Sequence, residues 1–146
     1  MVKQSGRQHE LVIESKGDNL AKVRNFVAKI AGDCGFNQHV VYDIKVAVGE
    51  AIANAIEHGS PKGQANHVTV VCNCTDDTLT IKVTDEGVFR RAVPSPEEDN
   101  VGYRGHGILL MLALMDKVTI DESMGGTTVS LTKRYRTEGD KKSKSA

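Results

Sequence analysis

The chain has 146 residues, of which 39% are hydrophobic and 26% charged, a globular balance that suits one domain around one core. Lys plus Arg equals Asp plus Glu at 19 each, so net charge gives no reason to expect nucleic acid or a membrane surface as partner. No apolar run approaches the ~18 residues of a spanning helix. The polar stretch Met1 to Glu10 lacks the apolar segment of a secretory signal, so a cytoplasmic protein is expected.

In chain order, residues 1–7 read as a flexible N-terminus. His9 to Ser15 alternates and reads as an edge strand. Asp18 is placed to N-cap a helix running through Leu20, Val23, Phe26, Val27 and Ile30, ended by Gly32 or Gly35, with Gly35 the better C′ residue. Asn37 then caps a second helix, Gln38 to His58, closed by Gly59-Ser60-Pro61.

From His67 the period changes to two. Val68, Val70, Cys72 and Cys74, then Leu79, Ile81 and Val83 across the Asp76-Asp77 turn, predict a hairpin with one buried face. Residues 85–107 form a long connection rich in Gly, Pro and charge, of the kind that is functional or disordered. A helix is predicted over His106–Met115, and a second hairpin joins Val118–Asp121 to Thr127–Lys133.

The last fourteen residues hold six basic and two acidic residues, a charge of +4 that leaves −4 on the rest of the chain. Residues 135–146 are expected to be a disordered basic tail. The three cysteines, Cys34, Cys72 and Cys74, are odd in number, which argues against a disulfide framework. They read as small apolar core residues. Helices that do not alternate strictly with strands predict an α+β two-layer sandwich, a mixed and mostly antiparallel sheet covered on one face by helices.

Four features carry chemistry. Glu50, Asn54 and His58 follow one another at spacings of four and share a narrow stripe of the second helix. That stripe borders the apolar arc of Ile44, Ala47, Val48, Ala51, Ile52 and Ala55, so it lies at the rim of the core. A carboxylate and a carboxamide there suit a base and a Mg²⁺ ligand, since Mg²⁺ takes hard oxygen donors and keeps several waters. Read alone, the stripe is equally an ordinary polar rim.

Asp85-Glu86-Gly87 follows a strand directly. The Asp suits an exocyclic amine, and the Gly suits close approach to a flat ligand, though Asp-x-Gly is also a common turn. Gly102-Tyr103-Arg104-Gly105-His106-Gly107-Ile108 places glycines ahead of a helix, a pattern that offers N–H groups and dipole to phosphate. It fits neither the dinucleotide fingerprint nor the P-loop. Gly125-Gly126-Thr127-Thr128 opens the last strand, where a Thr could reach a base through water.

Together, in this order, these motifs resemble those of the GHKL (Bergerat-fold) ATPase family. Glu50-x-x-x-Asn54-Ala55-x-x-His58 is similar to its N box, Asp85-x-Gly87 and Gly105-x-Gly107-Ile108 to its glycine boxes, and Gly126-Thr127 to its Gly-Thr element. Within the family, the run from Gly105 to Val118 resembles that of the anti-sigma-factor serine kinases, and the resemblance covers about residues 8–134.

It implies an ATP-binding serine kinase domain. Glu50 would be the general base and Asn54 the Mg²⁺ ligand. Asp85 and Gly87 would hold adenine, with Thr127 helping through water. Residues 88–104 would form the ATP lid, with Arg104, Gly105, His106, Gly107 and Ile108 at the phosphates. It further implies a sigma factor and a STAS-domain anti-anti-sigma protein as partners, and a homodimer. One departure stands out: Val88-Phe89-Arg90 follows Gly87 where the family's glycine box continues to a second small residue. The alternative is therefore a nucleotide-gated anti-sigma or switch protein with little or no kinase activity.

Overall fold

The computed structural model describes residues 7–58, 60, 63–87, 101–123 and 125–135. The expected α+β sandwich is present. Strand β1 (Arg7–Glu14) leads through a short 3₁₀ turn (Gly17–Asn19) into helices α1 (Leu20–Asp33) and α2 (Gln38–His58). The hairpin β2 (His67–Cys74) and β3 (Thr78–Asp85), helix α3 (Val101–Leu114), and the hairpin β4 (Lys117–Ser123) and β5 (Gly126–Arg134) follow. The sheet order is β1-β2-β3-β5-β4. Every pairing among the described strands is antiparallel, which sharpens the expectation of a mixed sheet. β1 lies at an edge, as its alternation predicts.

Alternation sets the buried face. Val70 pairs with Val83 and Cys72 with Ile81, and these inward residues are buried, as is Val68. Val129 and Leu131 of β5 extend that face. The helices close over it with Val23, Val27 and Ile30 from α1 and Ile44, Ala47, Val48, Ala51, Ile52 and Ala55 from α2.

The helix ends show how local chemistry places these elements. Asn37 caps α2, its Oδ1 accepting from Val40 N at 3.0 Å. After α1, Gly35 adopts φ +105°, Gly35 N donates to Gly32 O at 3.0 Å and Phe36 N to Ala31 O at 3.3 Å. This is a Schellman stop that a left-handed glycine makes possible. The start of α1 departs from expectation. Asp18 sits inside the 3₁₀ turn and does not cap the helix; Asn19 precedes Leu20 with no side-chain cap bond. The Asn19 side chain is drawn back instead, donating to Glu14 O at 2.9 Å.

The cysteine reading also needs correction. Cys72 is a buried core residue, as expected, but Cys34 and Cys74 form a disulfide pair with Cα atoms 6.3 Å apart. The Schellman turn carries Cys34 beneath the end of β2, a proximity that residue spacing does not reveal. Tyr135, the first residue of the expected tail, is ordered against Phe36 with ring centroids 4.3 Å apart. The rest of that tail lies outside the described residues, as do residues 1–6.

Candidate active site

The candidate site has two parts, one at the carboxyl end of β3 and one on α2 beneath α3. Asp85 ends β3 on the same alternating face as Leu79, Ile81 and Val83, so its carboxylate points toward the helix layer rather than to solvent. It is only 3% exposed. A buried carboxylate needs donors, and two backbone groups supply them. Asp85 Oδ1 accepts from Gly87 N at 3.0 Å and from Thr127 N at 3.3 Å. Thr127, 1% exposed, is the register partner of Asp85 on β5.

This arrangement depends on glycine at position 126. Gly126 has φ +149°, and a Cβ there would lie 1.9 Å from the Asp85 carbonyl oxygen. Gly126-Thr127 therefore serves as a backbone contact that seats β5 against Asp85. The sequence reading gave this pair a looser role in contacting a base.

The second half of the site is the α2 stripe. Glu50 and Asn54 are half-buried, beside the fully covered Ala47, Ala51 and Ala55. α3 crosses directly over them. A Cβ on Gly107 would stand 3.1 Å from Glu50 Oε1 and 3.7 Å from Asn54 Nδ2. Gly107 of the glycine-rich segment and the polar stripe are thus brought together. α2 also contacts β3 and β5, the strands that carry Asp85 and Thr127.

α3 begins at Val101, about one and a half turns before the predicted start at His106. Arg104, Gly105 and His106 consequently lie within the helix backbone, and the side chains of Arg104, His106 and His58 fall outside what is described. No proline follows Pro96 to stop the helix from extending backward, and its first turns tolerate Gly102 and Gly105. Ile108 is partly buried against the core. Residues 88–100 of the expected lid, including Val88-Phe89, lie outside the described residues.

Two further features escaped the sequence reading. Glu86 Oε1 accepts from Asn66 Nδ2 at 3.0 Å and His67 N at 2.8 Å, clasping the start of β2 to the end of β3 beside Asp85. Only its position next to a strand-end Asp could have hinted at this. Arg24 of α1 packs on Gly49, its Cδ 3.5 Å from where a Cβ would stand, one residue before Glu50. Its Nε is buried without a hydrogen-bond partner among the described residues.

Comparison with known proteins agrees with this fold. The profile of the histidine kinase-like ATPase domain matches residues 13–133. The chain belongs to the histidine kinase-like ATPase domain family. Its members include relatives of similar length. The serine-protein kinase RsbW of Bacillus subtilis is 27% identical over 134 residues, covering 85% of this chain and 83% of the relative. The anti-sigma F factor of Clostridium acetobutylicum is 30% identical over 133 residues, covering 86% and 92%.

Among solved structures, the RsbU and RsbW domains of a Mycobacterium tuberculosis protein superpose with a TM-score of 0.66 at 20% identity. That match covers 88% of this chain and 32% of the other, and it supports the ATPase-domain fold. No described helix is long and apolar enough to cross a membrane.

Proposed function

We propose that this ATPase-family domain is an anti-sigma serine kinase. It would use Mg-ATP to phosphorylate a STAS-domain anti-anti-sigma protein and, in its other state, hold a sigma factor. The observation that carries the reading is the seating of Gly107 on Glu50 and Asn54, which puts the glycine segment against a carboxylate and a carboxamide. The names of the relatives, serine-protein kinase and anti-sigma F factor, support the same class.

In this reading, Asp85 accepts from the adenine amine, held in orientation by Gly87 N and Thr127 N. Glu50 takes the proton from the attacking serine hydroxyl, a role that needs a carboxylate within hydrogen-bond reach. Asn54 fits Mg²⁺. Among the described residues, no three His, Cys, Asp or Glu side chains gather as a cage, and a lone amide oxygen suits an ion that arrives with phosphate oxygens and water. Bound there, Mg²⁺ would neutralise charge on the transferring phosphoryl group. Leu109 and Leu112 are exposed on α3 just beyond Gly107, offering apolar surface to a protein partner. Partners of this kind would be met in the cytoplasm, and a homodimer accords with the resemblance.

Calorimetric titration with ATP, with and without Mg²⁺, tests the site in wild type and Asn54→Ala. Binding that requires Mg²⁺ and weakens at least tenfold in the variant is expected. Equal binding in both proteins would overturn the role of Asn54. Stoichiometric phosphorylation of a STAS partner would then separate the kinase from the alternative, a nucleotide-gated binder suggested by Gly87-Val88-Phe89.

A further inference from the structure

The Cys34–Cys74 pair lies at the end of the domain away from the nucleotide site. Cys74 closes β2 and pairs with Leu79 at the start of β3, whereas Asp85 stands at the opposite end of that strand. Cys34 is the C-cap residue of α1. A bond between them ties the helix layer to the sheet across 40 residues of sequence. Their Cα separation of 6.3 Å falls inside the span of about 4.4–6.8 Å that a disulfide bridges without moving backbone.

The surroundings make this a defined corner. The Tyr135 hydroxyl donates to the Cys34 carbonyl, and its ring stacks on Phe36 at an interplanar angle of 17°. Tyr135 N donates to Asp77 O at 3.2 Å, in the β2–β3 turn. One cluster therefore joins the end of α1, the Gly35-Phe36 stop, the Asp76-Asp77 turn and the end of β5. Cys34 and Cys74 are partly buried and so within reach of small reagents, whereas Cys72 is fully covered. Burial pushes the Cys72 thiol up to about 12, which removes it as a competing nucleophile.

We propose that Cys34 and Cys74 are a reversible thiol–disulfide site that sets the rigidity of this corner. The oxidant is a low-molecular-weight disulfide. One cysteine thiolate attacks it, forming a mixed disulfide and expelling one small thiol. The second cysteine attacks the mixed disulfide, expelling the other small thiol and closing Cys34–Cys74. Two protein thiols are oxidised by two electrons, and one small disulfide is reduced to two thiols. Excess dithiol reverses both steps. Closed, the bond holds α1 on the sheet. Open, the last turn of α1 and Tyr135 are released to separate from β2. The nucleotide site, at the far end of β3, keeps its geometry in both states.

The test uses the full chain, fully reduced and then treated with excess oxidised glutathione. The expected product has no intermolecular disulfide, is lighter by two hydrogens per chain, and yields a linked peptide containing Cys34 and Cys74. It melts roughly 5–15 °C above the reduced form. Amide exchange slows at residues 34–36, 74–77 and 135, while ATP affinity stays within about twofold. A Cys34→Ser variant loses the oxidant-induced shift and melts like the reduced wild type. Cys34 and Cys74 thiols that persist under excess oxidant, stable mixed disulfides, disulfide-linked dimers or an unchanged melting temperature would each overturn the proposal.

Discussion

Replacing Gly126 by alanine probes the backbone contact on which the Asp85 end of the candidate site rests. A Cβ at this position would stand 1.9 Å from the Asp85 carbonyl oxygen, and atoms of this kind do not approach within 3.0 Å. The difference, 3.0 − 1.9 = 1.1 Å, is the least distance that β5 or β3 must move. The φ of +149° is itself costly for an L side chain, at about 1–3 kcal/mol. A shift of that size also breaks the 3.3 Å bond from Thr127 N to the buried Asp85 carboxylate, a charged-group bond whose loss costs about 1.5–3 kcal/mol.

The two effects share one displacement, so they do not add fully; ~3–5 kcal/mol of destabilisation is expected. For a domain of this size that lowers the melting temperature by roughly 10 °C. Because the carboxylate moves with the strand, ATP affinity should fall at least tenfold, equivalent to about 1.4 kcal/mol. Gly125→Ala is the internal control: nothing lies within 4 Å of its Cβ and its φ is not positive, so it should melt within about 2 °C of wild type. Thermal unfolding and calorimetric titration of both variants suffice. If Gly126→Ala melts and binds ATP like Gly125→Ala, the contact with Asp85 does not organise the site.

Other outcomes follow from the same geometry. Glu50→Gln keeps the side chain's size beside Gly107 but cannot accept a proton, so phosphate transfer should fall about 10²–10⁴-fold with ATP affinity little changed; a phosphorylation time course beside a binding titration checks both. Cys72 gives a pH dependence. Its folded thiol is raised from 9.0 to about 12, so above pH 9 the unfolded chain releases this proton first, and the stability it contributes is lost as pH rises toward 12. Urea unfolding at pH 8 and pH 10 should show wild type losing up to about 1.4 kcal/mol more than Cys72→Ala over the interval above pH 9; equal losses would refute the assignment.

What the sequence made legible was the part governed by periodicity. The bounds of α2 follow from Asn37 and from the apolar arc, and the β2–β3 register follows from strict alternation of Val68, Val70 and Cys72 with Leu79, Ile81 and Val83. Alternation even foretells that Asp85 faces inward. Three things were not legible, each because it depends on contacts between residues far apart in sequence. Asn19 was drawn to Glu14 O, which displaced Asp18 from the cap. Cys34 met Cys74 only once the Schellman turn had formed. Glu86 found Asn66 across the sheet edge. The four motifs could be named from sequence, but that Gly107 touches Glu50, and Gly126 touches Asp85, needed the packing of α3 on α2 and of β5 on β3.

The early start of α3 has a consequence for phosphate binding. In an α-helix the first four N–H groups lack intrahelical partners, and later ones donate to the carbonyl four residues back. With the helix beginning at Val101, the N–H groups of residues 101–103 lack an acceptor within the helix, while those of Gly105 and Gly107 point to carbonyls within the helix. Gly107 stands about 9 Å along the axis from the helix start. If phosphate is held by Gly105 and Gly107, the turns before them must unwind when ATP arrives. Gly102 and Gly105 lower the cost, since each weakens a helix by about 1 kcal/mol relative to alanine. Gly105→Ala should therefore favour the helical form and weaken ATP binding about fivefold, one such increment, while raising or preserving the melting temperature of the nucleotide-free protein. Amide exchange at residues 101–107 should quicken on ATP binding in wild type wherever the freed groups are not covered by phosphate. An alanine variant that binds ATP as tightly as wild type would mean that the helix stays wound and phosphate is met by the free N–H groups of residues 101–103.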